Sequence, residues 1–147
     1  MANAERTATA VWHGNLFKGS GTVDSGSGAF SNLAVDWRAR TERSDGETSP
    51  EELIAAAHAA CYAMAFSNAL DQAGHAPDEL SVTAKVEFGP KDGGGFEVKS
   101  SHLSVIGKVP GLSGDEFKRL ADEGEQGCPV SNALRNNIEI TVDARLA

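Results

Sequence analysis

Short alternating segments separated by glycines occupy the start of the chain and predict β-strands joined by turns. Residues 8–13 and 21–24 carry β-branched side chains, and the glycines around them favour turns. A third segment, residues 33–41, alternates apolar and polar side chains and predicts another strand. Its predicted polar face carries Asp36, Arg38 and Arg40, and its apolar face carries Leu33, Val35, Trp37 and Ala39.

The strongest helix signal comes next and predicts a buried helix that ends near Gly74. It begins with the run Ser49-Pro-Glu-Glu, a capping box with proline at the first helical position. Residues 53–66 are apolar on almost every face and include seven alanines, which let neighbouring backbones approach closely. A helix that is apolar all round must be buried all round, which one small domain can hardly achieve. We therefore expect a partner subunit.

The second half of the chain returns to strands and predicts a β-hairpin. Residues 80–88 keep a strict alternation of apolar and polar side chains. Residues 96–105 form the second strand, with a change of face near Ser100. The three glycines at 93–95 supply the turn between the two strands.

Two helices and a strand complete the predicted elements. Ser113 begins a capping box, and Gly127 marks the end of the helix that it opens. Residues 128–135 predict a short helix, and residues 138–144 predict the last strand. Because strands and helices do not alternate regularly, the order favours an α+β fold.

The net charge of the chain limits the classes of molecule that it can bind. Thirteen lysines and arginines against 21 aspartates and glutamates give a formal net charge of -8 and a pI near 4.9. Such an acidic surface would repel phosphate backbones, so it disfavours nucleic-acid binding. With 40% hydrophobic and 23% charged residues, the composition is that of a globular protein, and we expect one domain over residues 1–147.

The sequence also favours a cytoplasmic protein with no membrane partner. The longest apolar stretch, residues 53–66, contains His58 and looks too short and too polar to cross a bilayer. The first residues lack the succession of basic, apolar and small side chains that makes a secretory signal.

Two cysteines are the main candidates for chemistry. They are too few for a disulfide scaffold, and no zinc-ligand spacing surrounds them. Cys61 lies within the apolar helix, where burial would raise the pKa of its thiol unless a cation lay beside it. Cys128 precedes a proline at a helix start, where free N–H groups favour a thiolate. Electrostatics alone thus favour Cys128 as the reactive thiol, and two inert packing residues remain the alternative.

Histidine and arginine offer partners for these thiols. His58 lies three residues before Cys61 on the same helix face, so a Cys–His pair is possible, although such histidines are more often hydrogen-bonded core residues. Arginines such as Arg38 and Arg40 mostly make surface ion pairs. An arginine that reached a buried cysteine would instead stabilise its thiolate. The residue pattern leaves these alternatives open.

Three segments carry a resemblance to one known family. They are Ser49-Pro-Glu-Glu-Leu-Ile-Ala-Ala-Ala-His-Ala-Ala-Cys61, Gly127-Cys-Pro-Val-Ser-Asn-Ala-Leu134 and Trp37-Arg-Ala-Arg-Thr-Glu42. The chain resembles the OsmC/Ohr family of thiol-dependent hydroperoxide reductases, and the His-Ala-Ala-Cys form favours the OsmC branch, while Ser-Asn-Ala is similar to the Ohr branch. The resemblance implies an α+β fold, with antiparallel sheets packed on a long buried central helix, and an intertwined homodimer.

The resemblance also implies a role for each site residue. Cys61 would be the peroxidatic thiolate and Cys128 the resolving thiol. The arginine of the family corresponds to Arg40, with Arg38 as the second choice, and it would stabilise the thiolate. Glu51 would orient the guanidinium in a bidentate pair.

The activity that the resemblance implies is the reduction of organic hydroperoxides to alcohols, in defence against oxidative stress. Cys61 would become a sulfenic acid and then form a disulfide with Cys128. An external dithiol of the lipoyl type would reopen that disulfide. Organic hydroperoxides would be preferred to hydrogen peroxide, and no metal, haem or flavin cofactor is implied.

Helix geometry adds a further expectation. Glu51 and Cys61 are ten residues apart, which is about 15 Å along a continuous helix. We therefore expect a composite site at a homodimer interface, with Glu51 contributed by the opposite subunit. Two other functions stay open: a Cys–His hydrolase that uses Cys61 and His58, and a non-catalytic homodimeric protein that responds to stress or binds a ligand.

Overall fold

A three-stranded antiparallel sheet dominates the first third of the chain in the computed structural model, which describes residues 1–147. Its strands are β1 (Ala8–His13), β2 (Ser20–Ser25) and β3 (Leu33–Val35), in the order β1-β2-β3. The sheet belongs to the first of two compact units, Met1–Leu53, and the second unit is Ile54–Ala147. The first two predicted strands are thereby confirmed.

The third predicted strand is wrong beyond Val35. Asp36 caps a short helix, α1 (Trp37–Thr41), because its carboxylate accepts a hydrogen bond of 2.7 Å from the backbone N–H of Ala39. In a helix, residues two apart point about 200° away from each other rather than to one face. The two arginines of this segment, Arg38 and Arg40, therefore differ in their surroundings.

Helix α2 (Pro50–Gln72) confirms the predicted long helix and its start. The Ser49 hydroxyl accepts a hydrogen bond of 3.1 Å from the backbone N–H of Glu52, and the Thr48 hydroxyl donates one of 2.8 Å to the Glu52 carboxylate. Two residues after the helix, Gly74 adopts a φ of +86°, and the chain turns away there.

One face of α2 is buried within the chain, and the opposite face is exposed. The buried positions recur every four residues and are His58, Tyr62, Phe66 and Leu70. The exposed positions include Ala56, Ala60 and Met64, the last of which is 69% exposed. The expected burial on all sides is therefore not a property of the single chain, and the homodimer that would complete it stays a prediction.

By length and composition alone, α2 could cross a bilayer, since an 18-residue window reaches a mean hydropathy of 1.4. The helix is longer than the apolar stretch of residues 53–66 that the sequence analysis considered, and the test applies to the whole helix. The measure is weak evidence of a membrane span, because core helices of water-soluble proteins also meet it. A cytoplasmic location stays a prediction.

The second sheet contains β4 (Glu79–Pro90), β5 (Phe96–Lys108) and β6 (Glu139–Leu146), in that order. The β4–β5 pairing is antiparallel, with an irregularity between Glu87 and Phe88 that accounts for the predicted change of face near Ser100. The β5–β6 pairing is parallel, so the expectation of purely antiparallel sheets is wrong for this sheet.

The parallel pairing follows from the connection between β5 and β6, which contains two helices. They are α3 (Gly114–Gln126), capped by Ser113, and α4 (Pro129–Leu134), capped by Cys128. Helix α3 approaches α2 closely at Gly124, where a Cβ atom would lie 2.8 Å from the Cα of Phe66. The architecture is thus α+β, with two small sheets and four helices.

Candidate active site

The two cysteines, far apart in the sequence, are neighbours in the second unit. Cys61 lies midway along α2 and is partly buried, whereas Cys128 is fully buried at the start of α4. Both are free thiols, and their side chains lie near enough for Cys128 to raise the pKa of Cys61. The structure therefore brings the two sulfur atoms together. The sequence alone did not decide whether these cysteines were inert packing residues or an interacting pair.

Both sulfur atoms lie near the amino-terminal end of α4. The backbone N–H of Ser131 donates a hydrogen bond of 3.5 Å to the Cys128 sulfur. The backbone N–H of Val130 lies near Cys61 and lowers the pKa of its thiol, because N–H groups at a helix start carry partial positive charge.

Burial nevertheless raises the pKa of the Cys61 thiol above its ordinary value, because the thiolate would lose hydration. The Val130 N–H opposes this by lowering the pKa, whereas the neighbouring Cys128 thiol raises it further. The direction is opposite to the low pKa expected of a peroxidatic cysteine. Within the chain, therefore, the start of α4 does not outweigh the effect of burial on this pKa.

His58 is the hydrogen-bonded core residue that the sequence favoured, and it does not form the alternative Cys–His pair. Its Nδ1 lies 2.7 Å from the Ser101 hydroxyl and its Nε2 lies 2.7 Å from the Ser131 hydroxyl. All three side chains are fully buried, and burial lowers the pKa of His58 against an opposing effect of Glu125. Because both ring nitrogens are engaged by serines, the histidine is not placed to act as a base on Cys61.

Arg40 and Glu51 form a bidentate ion pair in the first unit. Nε of Arg40 lies 3.0 and 3.2 Å from the two carboxylate oxygens, and one terminal nitrogen lies 2.8 Å from Oε1. The Glu51 side chain is only 8% exposed. By contrast, Arg38 lies 3.5 Å from Glu42, and both of these side chains are more than half exposed. The predicted Arg40–Glu51 contact is therefore present, within one chain.

A cavity of about 360 Å³ lies beside Arg40 in the same unit. Its wall is mostly apolar, and Trp37 is held in an edge-to-face contact with Phe17 at 5.4 Å between ring centroids. The lining residues are Trp12, Leu16, Val35, Asp36, Trp37, Arg40 and Pro50. The sequence analysis missed this cavity, because it treated the two tryptophans as members of separate strands.

The ion pair and the thiol pair are linked along the chain by α2. That helix runs unbroken from Pro50 to Gln72, so Glu51 and Cys61 remain ten residues apart on one continuous helix. The condition that led us to expect a composite site, a helix without a break, is therefore met.

Comparison with known proteins assigns the family. The family model described as OsmC-like protein matches residues 43–143, a range that includes both cysteines and Glu51. The chain belongs to the OsmC-like family. The sequence motifs had indicated the same family, and that prediction is confirmed.

Named relatives lie in both branches that the motifs had indicated for this OsmC-like protein. It is 39% identical over 137 residues to the peroxiredoxin OsmC of Escherichia coli, which covers 93% of each chain. It is 36% identical over 124 residues to the organic hydroperoxide resistance protein of Xanthomonas axonopodis pv. citri, covering 80% of this chain and 84% of that one. The structure matches an organic hydroperoxide resistance protein from Elizabethkingia anophelis with a TM-score of 0.78 and 30% identity, over 100% of both chains.

The sequence analysis missed the two serines that contact His58 in this OsmC-like protein, Ser101 and Ser131. A signal for Ser131 was present, since it lies three residues after Cys128, in the first turn of the short helix. No local signal marked Ser101, because its contact with His58 joins residues 43 positions apart.

Proposed function

We propose that this OsmC-like protein is a thiol-dependent peroxidase that reduces organic hydroperoxides to alcohols. The observation that carries the proposal is that the two free thiols, Cys61 and Cys128, are neighbours at the start of α4. The names of its relatives, peroxiredoxin OsmC and organic hydroperoxide resistance protein, support a peroxide as the substrate.

In the first step, the Cys61 thiolate attacks the distal oxygen of the hydroperoxide. The O–O bond breaks, the alkoxide takes a proton and leaves as the alcohol, and Cys61 becomes a sulfenic acid. Two electrons pass from the sulfur to the peroxide.

In the second step, Cys128 attacks the sulfur of the sulfenic acid. An S–S bond forms, the hydroxyl group leaves as water, and the intramolecular disulfide stores the oxidising equivalents. An external dithiol, for which we propose the lipoyl type, then reduces the disulfide through thiol–disulfide exchange. The proximity of the two side chains in the reduced protein supports this step.

We assign to Arg40 the positive charge that the Cys61 site needs. A guanidinium held by a buried carboxylate has a fixed direction, so the bidentate contact with Glu51 suits Arg40 to stabilise a thiolate and a developing oxyanion. Since Glu51 is paired with Arg40 of its own chain, we propose that a homodimer brings both residues from the opposite subunit to Cys61. The exposed face of α2, with Ala56, Ala60 and Met64, is the surface we assign to that partner.

The cavity beside Arg40 is the proposed binding site for the hydrocarbon part of the substrate. Its apolar wall gives favourable burial to an alkyl or aryl group, while Arg40, which also lines the cavity, would contact the oxygen atoms. Hydrogen peroxide has no apolar group to bury, so the cavity supports a preference for organic hydroperoxides.

A thiol titration tests the proposed function. One equivalent of an aryl hydroperoxide should remove both free thiols of each chain, and dihydrolipoamide should restore them. A non-reducing gel should show no covalent dimer, because the disulfide is intramolecular. Retention of both thiols would contradict the proposal and favour the non-catalytic binding protein.

Replacing Arg40 with alanine should raise the pKa of Cys61 and slow its oxidation at neutral pH by about tenfold or more, since an adjacent opposite charge lowers a pKa by about 1–3. The rate is measured by stopped-flow mixing with an aryl hydroperoxide across a range of pH. Arg38→Ala is the matched control and should have little effect, because Arg38 forms an exposed ion pair with Glu42 at the surface. A larger effect of Arg38→Ala would transfer the role to that residue.

A further inference from the structure

Three fully buried polar side chains form a network that the peroxidase chemistry does not use. His58 comes from α2, Ser101 from β5 and Ser131 from α4, and the histidine bridges the two hydroxyls at 2.7 Å on each side. Burying three polar groups is costly unless each finds a partner, and here each does. The network therefore joins three elements of the second unit at one point.

The network has a defined donor pattern when the ring is neutral. A neutral imidazole has one N–H donor and one acceptor nitrogen, so one serine donates to the ring and the other accepts from it. Burial, which lowers the pKa of His58, favours this neutral form. Both hydroxyls are thus held in fixed directions by a single side chain.

Ser131 connects the network to the sulfur atom of Cys128. Its backbone N–H donates a hydrogen bond of 3.5 Å to the Cys128 sulfur. A contact that fixes the side chain of Ser131 therefore also fixes the N–H group that contacts the resolving thiol.

Helix α4 depends on such tertiary contacts for its position. It has only six residues, too few to be stable as a helix on its own. At its carboxy-terminal end, Arg135 forms an ion pair of 2.9 Å with buried Glu125. At its amino-terminal end, the Asn132 side chain donates to the backbone carbonyl of Gln126 at 3.2 Å, and Ser131 provides the buried side-chain contact with His58 of α2.

We propose that the hydrogen bond between His58 and Ser131 holds α4 in the position from which Cys128 attacks oxidised Cys61, so that His58 is a positioning residue for disulfide formation. This inference rests on the proposed function. The network leaves the first step alone, because the attack of Cys61 on the peroxide needs no movement of Cys128. Without the network, the sulfenic acid would persist, and a second hydroperoxide would oxidise it to a sulfinic acid with release of another alcohol.

Ser131→Ala tests the proposal, with Ser101→Ala as the matched control. Both substitutions remove one hydroxyl from the same histidine, but only the first frees α4. After one equivalent of an aryl hydroperoxide, Ser131→Ala should form the disulfide about tenfold more slowly than the unsubstituted protein, the effect of losing one hydrogen bond. The consumption of peroxide should keep its rate within about twofold, and a dimedone adduct of Cys61 should accumulate. Ser101→Ala should slow disulfide formation by less than about threefold.

Equal slowing in the two variants, or a slower first step in Ser131→Ala, would overturn the proposal and make the network a general support of the core. If Ser131→Ala does not fold, His58→Gln replaces it, since an amide retains one donor and one acceptor group. His58→Gln should form the disulfide at a rate between those of the unsubstituted protein and His58→Leu. Mass spectrometry should show less sulfinic acid in His58→Gln than in His58→Leu. Equal rates in these two variants would also overturn the proposal. Failure of the unsubstituted protein to form any disulfide would instead contradict the proposed function itself.

Discussion

Replacing Cys61 with serine should abolish the reduction of organic hydroperoxides. A serine hydroxyl is not ionised at neutral pH and cannot form a stable equivalent of the sulfenic acid, so neither step has a substitute. Loss of a nucleophile costs enzymes up to about 10⁶ in kcat, and we expect a fall of at least about 10³-fold here. Peroxide consumption, followed with dihydrolipoamide as the reductant, measures the effect.

The fold of Cys61→Ser should be retained, because serine is close to cysteine in size and the site is only partly buried. A far-UV circular dichroism spectrum and a thermal midpoint close to those of the unsubstituted protein establish this control. Substantial turnover by a folded Cys61→Ser protein would show that the nucleophile is a different residue.

Replacing Cys128 with serine should separate the two steps. The variant should consume about one equivalent of hydroperoxide and then stop, because the Cys61 sulfenic acid forms but finds no second thiol. Steady-state turnover with a dithiol should fall by about 10²-fold or more. The remaining turnover is set by the rate at which the external dithiol reduces the Cys61 sulfenic acid directly. Stopped-flow mixing gives the amplitude of the first turnover, and mass spectrometry with dimedone identifies the oxidised residue.

The comparison of the two cysteine variants decides their roles. A burst of one equivalent in Cys128→Ser and none in Cys61→Ser assigns the peroxidatic role to Cys61. The reverse result would restore the assignment to Cys128 that helix electrostatics alone had favoured. Equal residual turnover in the two would contradict any division of roles between them.

Local sequence signals predicted most of the helices and strands, because the residues that start, end or connect these elements lie next to them in the sequence. The capping boxes at Ser49 and Ser113 place a side-chain hydroxyl where a helix start needs an acceptor, and both helices begin there. The glycines at 93–95, all with positive φ, form the turn of the predicted hairpin.

The segment around Asp36 shows where such signals compete. Its alternation of apolar and polar residues favours a strand, whereas Asp36 is also a good helix cap, and the capping contact with Ala39 prevails. The helix places the two arginines in different surroundings, so that Arg40 pairs with buried Glu51 while Arg38 remains on the surface. Periodicity alone gives no means of choosing between these outcomes.

The amino-acid sequence by itself determined the family, the α+β class and the residues capable of chemistry. Motifs, helix caps and turn residues can be recognised from a few neighbouring positions in the sequence. Only the folded chain decided that Cys61 and Cys128 are neighbours, that the N–H group of Val130 lies near Cys61, and that His58 is engaged by two serines rather than by a thiol. These contacts join residues from different elements, and the packing of α2, β5 and α4 sets them. Hydrogen-bond geometry and burial depend on that packing, and no local pattern in the sequence specifies how these elements pack.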